Sequence, residues 1–245
     1  MLARKQLFCA FQPIVDLTSG VVFGYEALLR GFHPEFESPP ALIEHAIAEG
    51  YCGELGRELR RLAVDACDGA NLFLNIHPDE FREGWLVRPD DPLFRHEGEI
   101  HVEITESVPL SHYHYCHSIL AEIRSRGMRI AVDDLGAGYS NLKYIADLAP
   151  EIVKLDRALI SNLTVGTRLH TLVTSIVDMC HQMGAKVIAE GIETSQEFNA
   201  VVDAGAHFGQ GYYIARPARE LPKFDWDELT EMAGSNARIR TVRSH

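Results

Sequence analysis

The sequence lacks a long hydrophobic run. None of its apolar stretches approaches the about 20 residues that a membrane-spanning helix needs. The first residues, Met1 to Gln6, lead into no apolar core of the kind found in secretory signals. We therefore expect no membrane insertion and a cytoplasmic location.

Basic residues are also scarce. The 23 Lys and Arg residues face 35 Asp and Glu residues, which gives a formal net charge of -12. A negative protein repels the phosphates of a nucleic-acid polymer, so that class of partner is disfavoured. A phosphate-bearing substrate would need local cations, and metal ions are the favoured source.

Cysteine is rare and follows no metal-binding pattern. The five cysteines form no CxxC pair, and the twelve histidines form no HExxH motif. This spacing excludes the common zinc motifs and predicts buried, inert thiols.

The chain has no linker rich in Pro, Gly or Ser and no internal repeat. Its mean hydropathy of -0.08 is typical of a globular protein. We therefore predict one domain over residues 1–232. Residues 233–245 lose periodicity and carry Arg238, Arg240 and Arg243, and are predicted to form a flexible basic tail.

Short aliphatic runs alternate with segments of helical periodicity. The predicted strands are Phe8–Val15, Val21–Leu29, Leu72–Asn75, Ile100–Thr105, Arg129–Asp133, Ile152–Leu155, Lys186–Glu190 and His207–Phe208. The predicted helices are Ala41–Ala48, Leu55–Ala66, Tyr115–Ile123, Leu169–Met183 and Phe198–Val202. This order favours an α/β fold, specifically a (β/α)8 TIM-like barrel. Gly20 marks a hairpin between the first two runs, so the first strand is predicted to be antiparallel.

Most of the predicted strands end in a polar residue. These are Glu26, Asn75, Glu103, Asp133 with Asp134, Lys154 and Glu190. In a barrel, the carboxyl ends of the strands converge on the face that holds the active site. A single such carboxylate is more often a helix cap, but a shared pattern over six strands favours a site.

Converging carboxylates need cations. Two carboxylates 4 Å apart repel by about 4 kcal/mol at an effective dielectric constant near 20, and Lys154 supplies one positive charge. Oxygen ligands favour Mg²⁺ or Mn²⁺, and adjacent carboxylates such as Asp133 and Asp134 can reach two ions. The residues thus indicate a metal-dependent phosphoester hydrolase, with a metal-dependent lyase or isomerase of the enolase type still open.

An ordered set of motifs resembles a known family. The segments are Phe11-Gln-Pro-Ile-Val15, Tyr25-Glu-Ala-Leu-Leu-Arg-Gly31, Leu74-Asn-Ile-His-Pro78, Glu103-Ile-Thr-Glu106, Asp133-Asp-Leu-Gly-Ala-Gly-Tyr-Ser140, Val153-Lys-Leu-Asp156, Ala189-Glu-Gly-Ile-Glu-Thr194 and Gly209-Gln-Gly-Tyr212. From about residue 7 to residue 219, the chain resembles the EAL-domain cyclic di-GMP phosphodiesterases of bacterial signalling.

The resemblance implies a barrel with an antiparallel first strand and metal-dependent hydrolysis of one bond of cyclic di-GMP to linear pGpG. It assigns Glu26, Asn75, Glu103 and Asp133 as ligands of a first metal ion. Asp133 bridges to a second ion, which Asp134 and Glu190 also hold. It makes Lys154 the residue that orients the attacking water, Glu106 the anchor of the loop that follows Asp134, and Glu193 a supporting acid. It places Gln12, Arg30 and Gln210 against the substrate.

Some members of the family act only as cyclic di-GMP receptors. Those members usually lack metal ligands, whereas the full set is present here, so the resemblance favours an active enzyme over a catalytically weak receptor. Leu135, Ala137 and the Ile76-His77 pair depart from common family residues, which affects loop packing rather than the ligands. The resemblance also implies a homodimer formed through residues 136–148, although Leu142, Tyr144, Ile145 and Leu148 equally fit an ordinary helix core. We expect Ca²⁺ to inhibit, because its longer bonds and looser geometry would misplace the attacking water.

Overall fold

The computed structural model describes residues 7–32, 39–67, 69–77, 79–80, 86, 88–105, 113–137 and 142–234. Its strands are β1 (Leu7–Asp16), β2 (Val22–Gly31), β3 (Leu72–Asn75), β4 (Ile100–Thr105), β5 (Arg129–Leu135), β6 (Ile152–Leu155), β7 (Lys186–Ala189) and β8 (Phe208–Gly209). Its helices are α1 (Pro39–Ala48), α2 (Cys52–Ala66), α3 (Tyr113–Ser125), α4 (Leu142–Leu148), α5 (Arg157–Ile160), α6 (Arg168–Gln182), α7 (Ser195–Asp203) and α8 (Trp226–Met232), with a 3-10 helix at Pro92–Arg95.

The strands form a closed barrel in the order β1 to β8. β1 is antiparallel to both β2 and β8, and the other neighbours pair in parallel. The predicted barrel with an antiparallel first strand is therefore confirmed.

The hairpin between β1 and β2 forms where glycine was expected. Gly20 has a φ of 74°, which L side chains rarely adopt, and a Cβ there would lie 2.2 Å from the Trp226 ring. The Asp16 carboxylate accepts hydrogen bonds from the N–H groups of Thr18 and Ser19. Turn geometry and packing thus both require glycine at this position.

The ends of several elements differ from the prediction. β5 continues to Leu135, and its pairing with β6 shifts register after Val132. The shift accompanies a φ of 60° at Asp134, a local irregularity that hydrophobic periodicity does not reveal. The 3-10 helix, α5 and α8 were not predicted because all three are too short for a clear apolar period.

Inside the barrel, side chains alternate in a way that positions the polar strand ends. Ile14, Phe73, Ala131, Ile152, Ile188 and Phe208 form an apolar cluster within the barrel. Because strand side chains repeat every two residues, the residue two positions from each of them faces the same interior. Asn75, Asp133, Lys154, Glu190, Gln210 and Gln12 occupy those positions. The apolar cluster thus forms the floor beneath a polar layer.

Larger apolar clusters lie between the barrel and its helices. The thiols of Cys9, Cys52, Cys67 and Cys180 are buried, as predicted, and form no disulfide among the described residues. In the described part of the chain, no helix is long and apolar enough to span a membrane.

His101 on β4 is a buried exception in the apolar floor. Its ring is 1% exposed and stacks on Phe73 at 4.2 Å between ring centroids. Burial lowers the pKa of His101 to about 4, although Glu99 opposes this shift. Below pH 6.5 the unfolded chain therefore binds a proton that the folded protein does not, and stability falls until about pH 4.

We expect this difference to cost about 3 kcal/mol of unfolding free energy between pH 6.5 and pH 4. His101→Phe should remove that part of the pH dependence, measured by urea unfolding at pH 7 and pH 4.5. His45→Phe, which replaces an exposed histidine on α1, is the matched control and should keep it. An unchanged slope in His101→Phe would contradict the assignment.

Candidate active site

The polar strand ends come together at the carboxyl-terminal face of the barrel. Glu26, Glu103, Asp133 and Lys154 are buried, and Glu190 and Asp134 are partly buried. They line, or lie directly beneath, a cavity of about 280 Å³ that also includes Gln12, Gln210 and Glu193 in its wall. The predicted convergence of these strand ends is therefore observed.

Lys154 lies at the centre of the carboxylates. Its Nζ is 2.5 Å from Glu103 Oε1, 2.7 Å from Glu190 Oε1, 3.1 Å from Asp133 Oδ1 and 3.6 Å from Glu26 Oε2. Among the described residues, no other side-chain cation lies within 4.0 Å of these four carboxylates. One buried ammonium thus faces four carboxylates, and the cluster has an excess of negative charge.

Protonation relieves part of that excess. Burial raises the pKa of Glu103 well above its usual value, against the lowering effect of Lys154. Burial likewise raises the pKa of Glu190 to about 8, and burial together with Asp133 raises the pKa of Asp134 to about 6. Near neutral pH the cluster therefore retains protons, which bound cations would displace.

Amide side chains fix the orientation of Glu26. Asn75 Nδ2 donates to Glu26 Oε1 at 3.1 Å, and Gln210 Nε2 donates to Glu26 Oε2 at 2.6 Å. Gln210 Nε2 also donates to Gln12 Oε1 at 3.0 Å, while Gln12 Nε2 donates to the carbonyl of Ala215. These contacts link β1, β2, β3 and the end of β8 around a single carboxylate.

Asp133 and Asp134 point separate carboxylates into one region. The left-handed backbone of Asp134 breaks the usual alternation of a strand, and its N–H donates to Asp133 Oδ1 at 3.0 Å. Carboxylate oxygens of Asp133, Asp134 and Glu190 all lie within 4.8 Å of one another. Glu103 Oε2 is buried without a hydrogen bond from the described residues, while Oε1 lies 2.5 Å from Lys154 Nζ. This donor set suits hard divalent cations.

The segment Glu190–Glu193 is held by a residue that the sequence reasoning missed. Glu197 Oε2 accepts hydrogen bonds from the N–H groups of Glu193 and Thr194, and Oε1 accepts one from Asn162. Burial alone would raise the pKa of Glu197, but the hydrogen bonds from these N–H groups outweigh burial and lower it. The Thr194-x-x-Glu197 spacing is a capping box, a signal that could have identified this role.

The remaining predicted site residues lie elsewhere or outside the described residues. Glu193 pairs with Arg157 at the mouth of the cavity, at 2.9 Å. Arg30 lies on a neighbouring cleft, and its Nη1 donates to the carbonyl of Leu29. Glu106 and residues 138–141 are outside the described residues. Among the predicted site residues that the structure describes, Arg30 thus lies apart from the carboxylate cluster.

Fold and site together define a class: a (β/α)8 barrel with an antiparallel first strand and a buried carboxylate cluster at the carboxyl ends of its strands. A sequence model of the EAL domain matches residues 1–217. The chain belongs to the EAL domain family.

One relative is the cyclic di-GMP phosphodiesterase PA2567 of Pseudomonas aeruginosa. It is 31% identical to this chain over 229 residues, which cover 88% of this chain and 39% of that protein. The chain thus spans about two fifths of the length of this curated relative.

Solved structures agree in fold. The complex of BlrP1 from Klebsiella pneumoniae with calcium and cyclic di-GMP has a TM-score of 0.78 at 26% identity, covering 91% of this chain and 59% of that chain. A standalone EAL protein from Vibrio cholerae, in its cyclic di-GMP bound form, has a TM-score of 0.74 at 26% identity, covering 91% and 97%.

Proposed function

We propose that this protein hydrolyses one phosphodiester bond of cyclic di-GMP to linear pGpG, with Mg²⁺ or Mn²⁺ as cofactor. The observation that carries the proposal is a cluster of five carboxylates whose summed negative charge exceeds the single positive charge of Lys154. These carboxylates belong to Glu26, Glu103, Asp133, Asp134 and Glu190. The relatives named for cyclic di-GMP phosphodiesterase activity, and the neighbours that contain this nucleotide, support the choice of substrate.

Two ions would be held by the carboxylates and the Asn75 amide. One metal ion can be shared by oxygens that lie within 4.8 Å of one another, those of Asp133, Asp134 and Glu190. Further oxygen atoms next to them come from Glu26, Asn75 and Glu103. Divalent ions at such a centre lower the pKa of bound water and neutralise phosphate charge. The related BlrP1 complexes contain manganese or calcium, which supports a divalent centre.

The residues of the chain then have separate roles. Lys154 orients the attacking water by donating a hydrogen bond from Nζ. Gln12 and Gln210 contact the substrate beside Glu26, and Arg30 contacts a phosphate from the neighbouring cleft. Water loses one proton as its oxygen adds to phosphorus, the bond to the 3′ oxygen breaks, and that oxygen gains one proton. Glu193 and Glu106 act as supporting residues.

A catalytically weak cyclic di-GMP receptor is the second candidate. The same cavity would bind the nucleotide in either case. The complete carboxylate set favours the enzyme, because binding alone does not require a buried acidic cluster next to a phosphate.

Assembly, location and domain extent stay predictions. In the segment predicted to form a dimer, Ile145 and Leu148 on α4 are buried within the chain and Leu142 is exposed, so at most part of this segment is available for a partner. We propose a homodimer, a cytoplasmic location and one domain over residues 1–232. The predicted tail beyond Gly234 lies outside the described residues.

The test of the function is turnover of cyclic di-GMP with Mg²⁺, Mn²⁺ or Ca²⁺ in separate reactions, followed by chromatography. We expect pGpG with Mg²⁺ or Mn²⁺. We expect Ca²⁺ to inhibit, because its longer bonds and looser geometry misplace the attacking water. Binding without product in both Mg²⁺ and Mn²⁺ would establish the receptor instead.

A further inference from the structure

A buried arginine lies on α2, on the face of the helix that packs into the core. Arg60 is 2% exposed, and among the described residues it is the one arginine that is buried to this extent. Gly56 and Ala63, one turn away on either side, are buried on the same helix face. An apolar side chain would fill this position without the cost of removing a charge from water. Packing alone therefore does not account for Arg60.

Two carboxylates from outside the helix satisfy the Arg60 guanidinium. Its Nε and Nη2 donate to Asp91 at 3.2 and 3.1 Å, and its Nη1 donates to Glu80 Oε2 at 2.5 Å. Asp91 precedes the 3-10 helix and also accepts a hydrogen bond from the Leu93 N–H at 3.1 Å. Arg60 thus joins α2 to the start of the 3-10 helix on one side and to the chain after β3 on the other.

The helix backbone leaves room for the Glu80 carboxylate at one point. A Cβ at Gly56 would lie 2.0 Å from Glu80 Oε2 and 2.3 Å from its carboxyl carbon. Glycine at this position therefore permits the close approach of the carboxylate to α2. The guanidinium of Arg60 and the backbone of Gly56 together hold Glu80 in place.

The other oxygen of Glu80 holds the backbone that follows β3. Glu80 Oε1 accepts a hydrogen bond from the His77 N–H at 3.2 Å, and the Glu80 N–H donates to the His77 carbonyl at 2.9 Å. One residue earlier, the Ile76 N–H donates to the carbonyl of Glu103 on β4 at 3.0 Å. The backbone directly after β3 is therefore fixed from two sides, by β4 and by Glu80.

This backbone continues from the amide that belongs to the proposed metal centre. Asn75 is the last residue of β3, a strand of four residues, and its Nδ2 lies 3.1 Å from Glu26 Oε1. The strand ladder ends at Asn75, so the chain on its carboxyl side is held by the contacts of Ile76 and His77. A metal ligand at the end of a short strand keeps its geometry only if the groups behind it are fixed.

We propose that Arg60 and Glu80 are positioning residues for the metal centre. Held by Asp91, they fix the backbone of His77 and thereby set the place of the Asn75 amide. The inference rests on the proposed function, in which Asn75 is a ligand of the first ion. Neither Arg60 nor Glu80 lines the carboxylate cavity, so their effect reaches the reaction through metal affinity.

The first test measures Mn²⁺ affinity by calorimetric titration. Glu80→Gln keeps the shape of the side chain but offers one acceptor oxygen to two donors, Arg60 and the His77 N–H. We expect its Kd for Mn²⁺ to rise about tenfold, a typical loss when a group behind a metal ligand is removed. Gly56→Ala displaces the Glu80 carboxylate and should raise the Kd to a similar extent. At saturating Mn²⁺, kcat and KM for cyclic di-GMP should stay within threefold in both variants.

Hydrogen exchange in the metal-free protein provides a readout that does not involve the ion. In Glu80→Gln, the amide proton of His77 should exchange at least tenfold faster relative to that of Phe73, which lies within β3. The ratio of the two rates removes the effect of a general loss of stability. An unchanged ratio would overturn the inference.

Ala63→Gly is the matched control for a purely structural role. Ala63 is buried on the same helix, and glycine weakens a helix interior. This variant should unfold at a lower urea concentration but keep its Mn²⁺ Kd within twofold. If Glu80→Gln does not fold, Arg60→Lys provides the same comparison, because lysine keeps the charge but lacks the fork that reaches both carboxylates.

Failure of the inference differs from failure of the function. An unaltered chain that binds neither Mg²⁺ nor Mn²⁺ overturns both. A chain that binds Mn²⁺ but forms no pGpG refutes the proposed hydrolysis, and the Mn²⁺ and exchange comparisons still decide the inference. If folded Glu80→Gln and Gly56→Ala lose stability but keep their Mn²⁺ Kd within twofold, the inference alone is overturned.

Discussion

Lys154→Ala is expected to lower turnover of cyclic di-GMP by about 100-fold or more while substrate affinity stays within a few-fold. The reason is that a hydrogen bond to the attacking water stabilises the transition state more than the bound substrate. Steady-state kinetics at saturating Mn²⁺, with substrate binding measured separately, checks this split.

The structure also supports a competing role for Lys154. Its Nζ lies within 4.0 Å of four carboxylates, and removing one partner from a buried ion cluster costs about 3 to 5 kcal/mol. If neutralisation is its whole role, the variant will unfold more easily even when Mn²⁺ is abundant.

Thermal melts with EDTA and with Mn²⁺ separate the two roles. We expect lower stability in EDTA and near-normal stability with Mn²⁺, because bound ions replace the missing charge. Lys154→Met, which fills the same space without charge, excludes a cavity effect. Lys186→Met, which removes an exposed lysine at the other end of the barrel, should show neither change. A metal-free or unfolded Lys154→Ala protein would contradict the water-orienting role.

The barrel was predictable because most of the parallel strands repeat one simple pattern. An apolar residue such as Phe73, Ala131 or Ile188 faces the interior, and a polar residue follows two positions later on the same face. Because parallel strands end on the same face of the barrel, residues at the ends of different strands lie close together. The six strand ends therefore indicate a site from the sequence alone.

The contacts within the site were less predictable. That Lys154 reaches Glu26, Glu103, Asp133 and Glu190 depends on barrel closure, which brings separate strands to one point. The left-handed Asp134 has no compositional signal, because aspartate is common at ordinary strand ends. The sequence thus predicts which residues lie close together, but it does not predict which of them contact each other.

Two arginines, one buried and one beside aromatic rings, show another limit. Arg60 on α2 is buried and pairs with Glu80 at 2.5 Å and Asp91 at 3.1 Å. The Arg219 Cζ lies 4.9 Å from the Phe8 ring centroid and 5.1 Å from that of Phe32. In the sequence both arginines look like ordinary surface residues, because no periodic pattern marks a charged residue that is buried or packed against an aromatic ring.

Asp133→Asn is expected to lower turnover by at least 1,000-fold and to weaken Mn²⁺ binding by at least tenfold. The substitution preserves shape but removes the charge of a carboxylate 3.1 Å from Lys154 Nζ and within 4.8 Å of the Asp134 and Glu190 oxygens. A residue proposed to bridge two ions serves both, so its loss removes more than one ligand bond.

Calorimetric titration with Mn²⁺ and a discontinuous assay for pGpG measure the two effects. Asp178→Asn, an exposed position on α6, is the matched control and should alter neither. Glu190→Gln should reduce both turnover and the number of bound ions, because Glu190 is proposed to hold the second ion only. Turnover within tenfold of the unaltered protein in Asp133→Asn, or an unchanged Mn²⁺ isotherm, would refute the bridging role and leave Glu103 and Glu26 as the principal ligands.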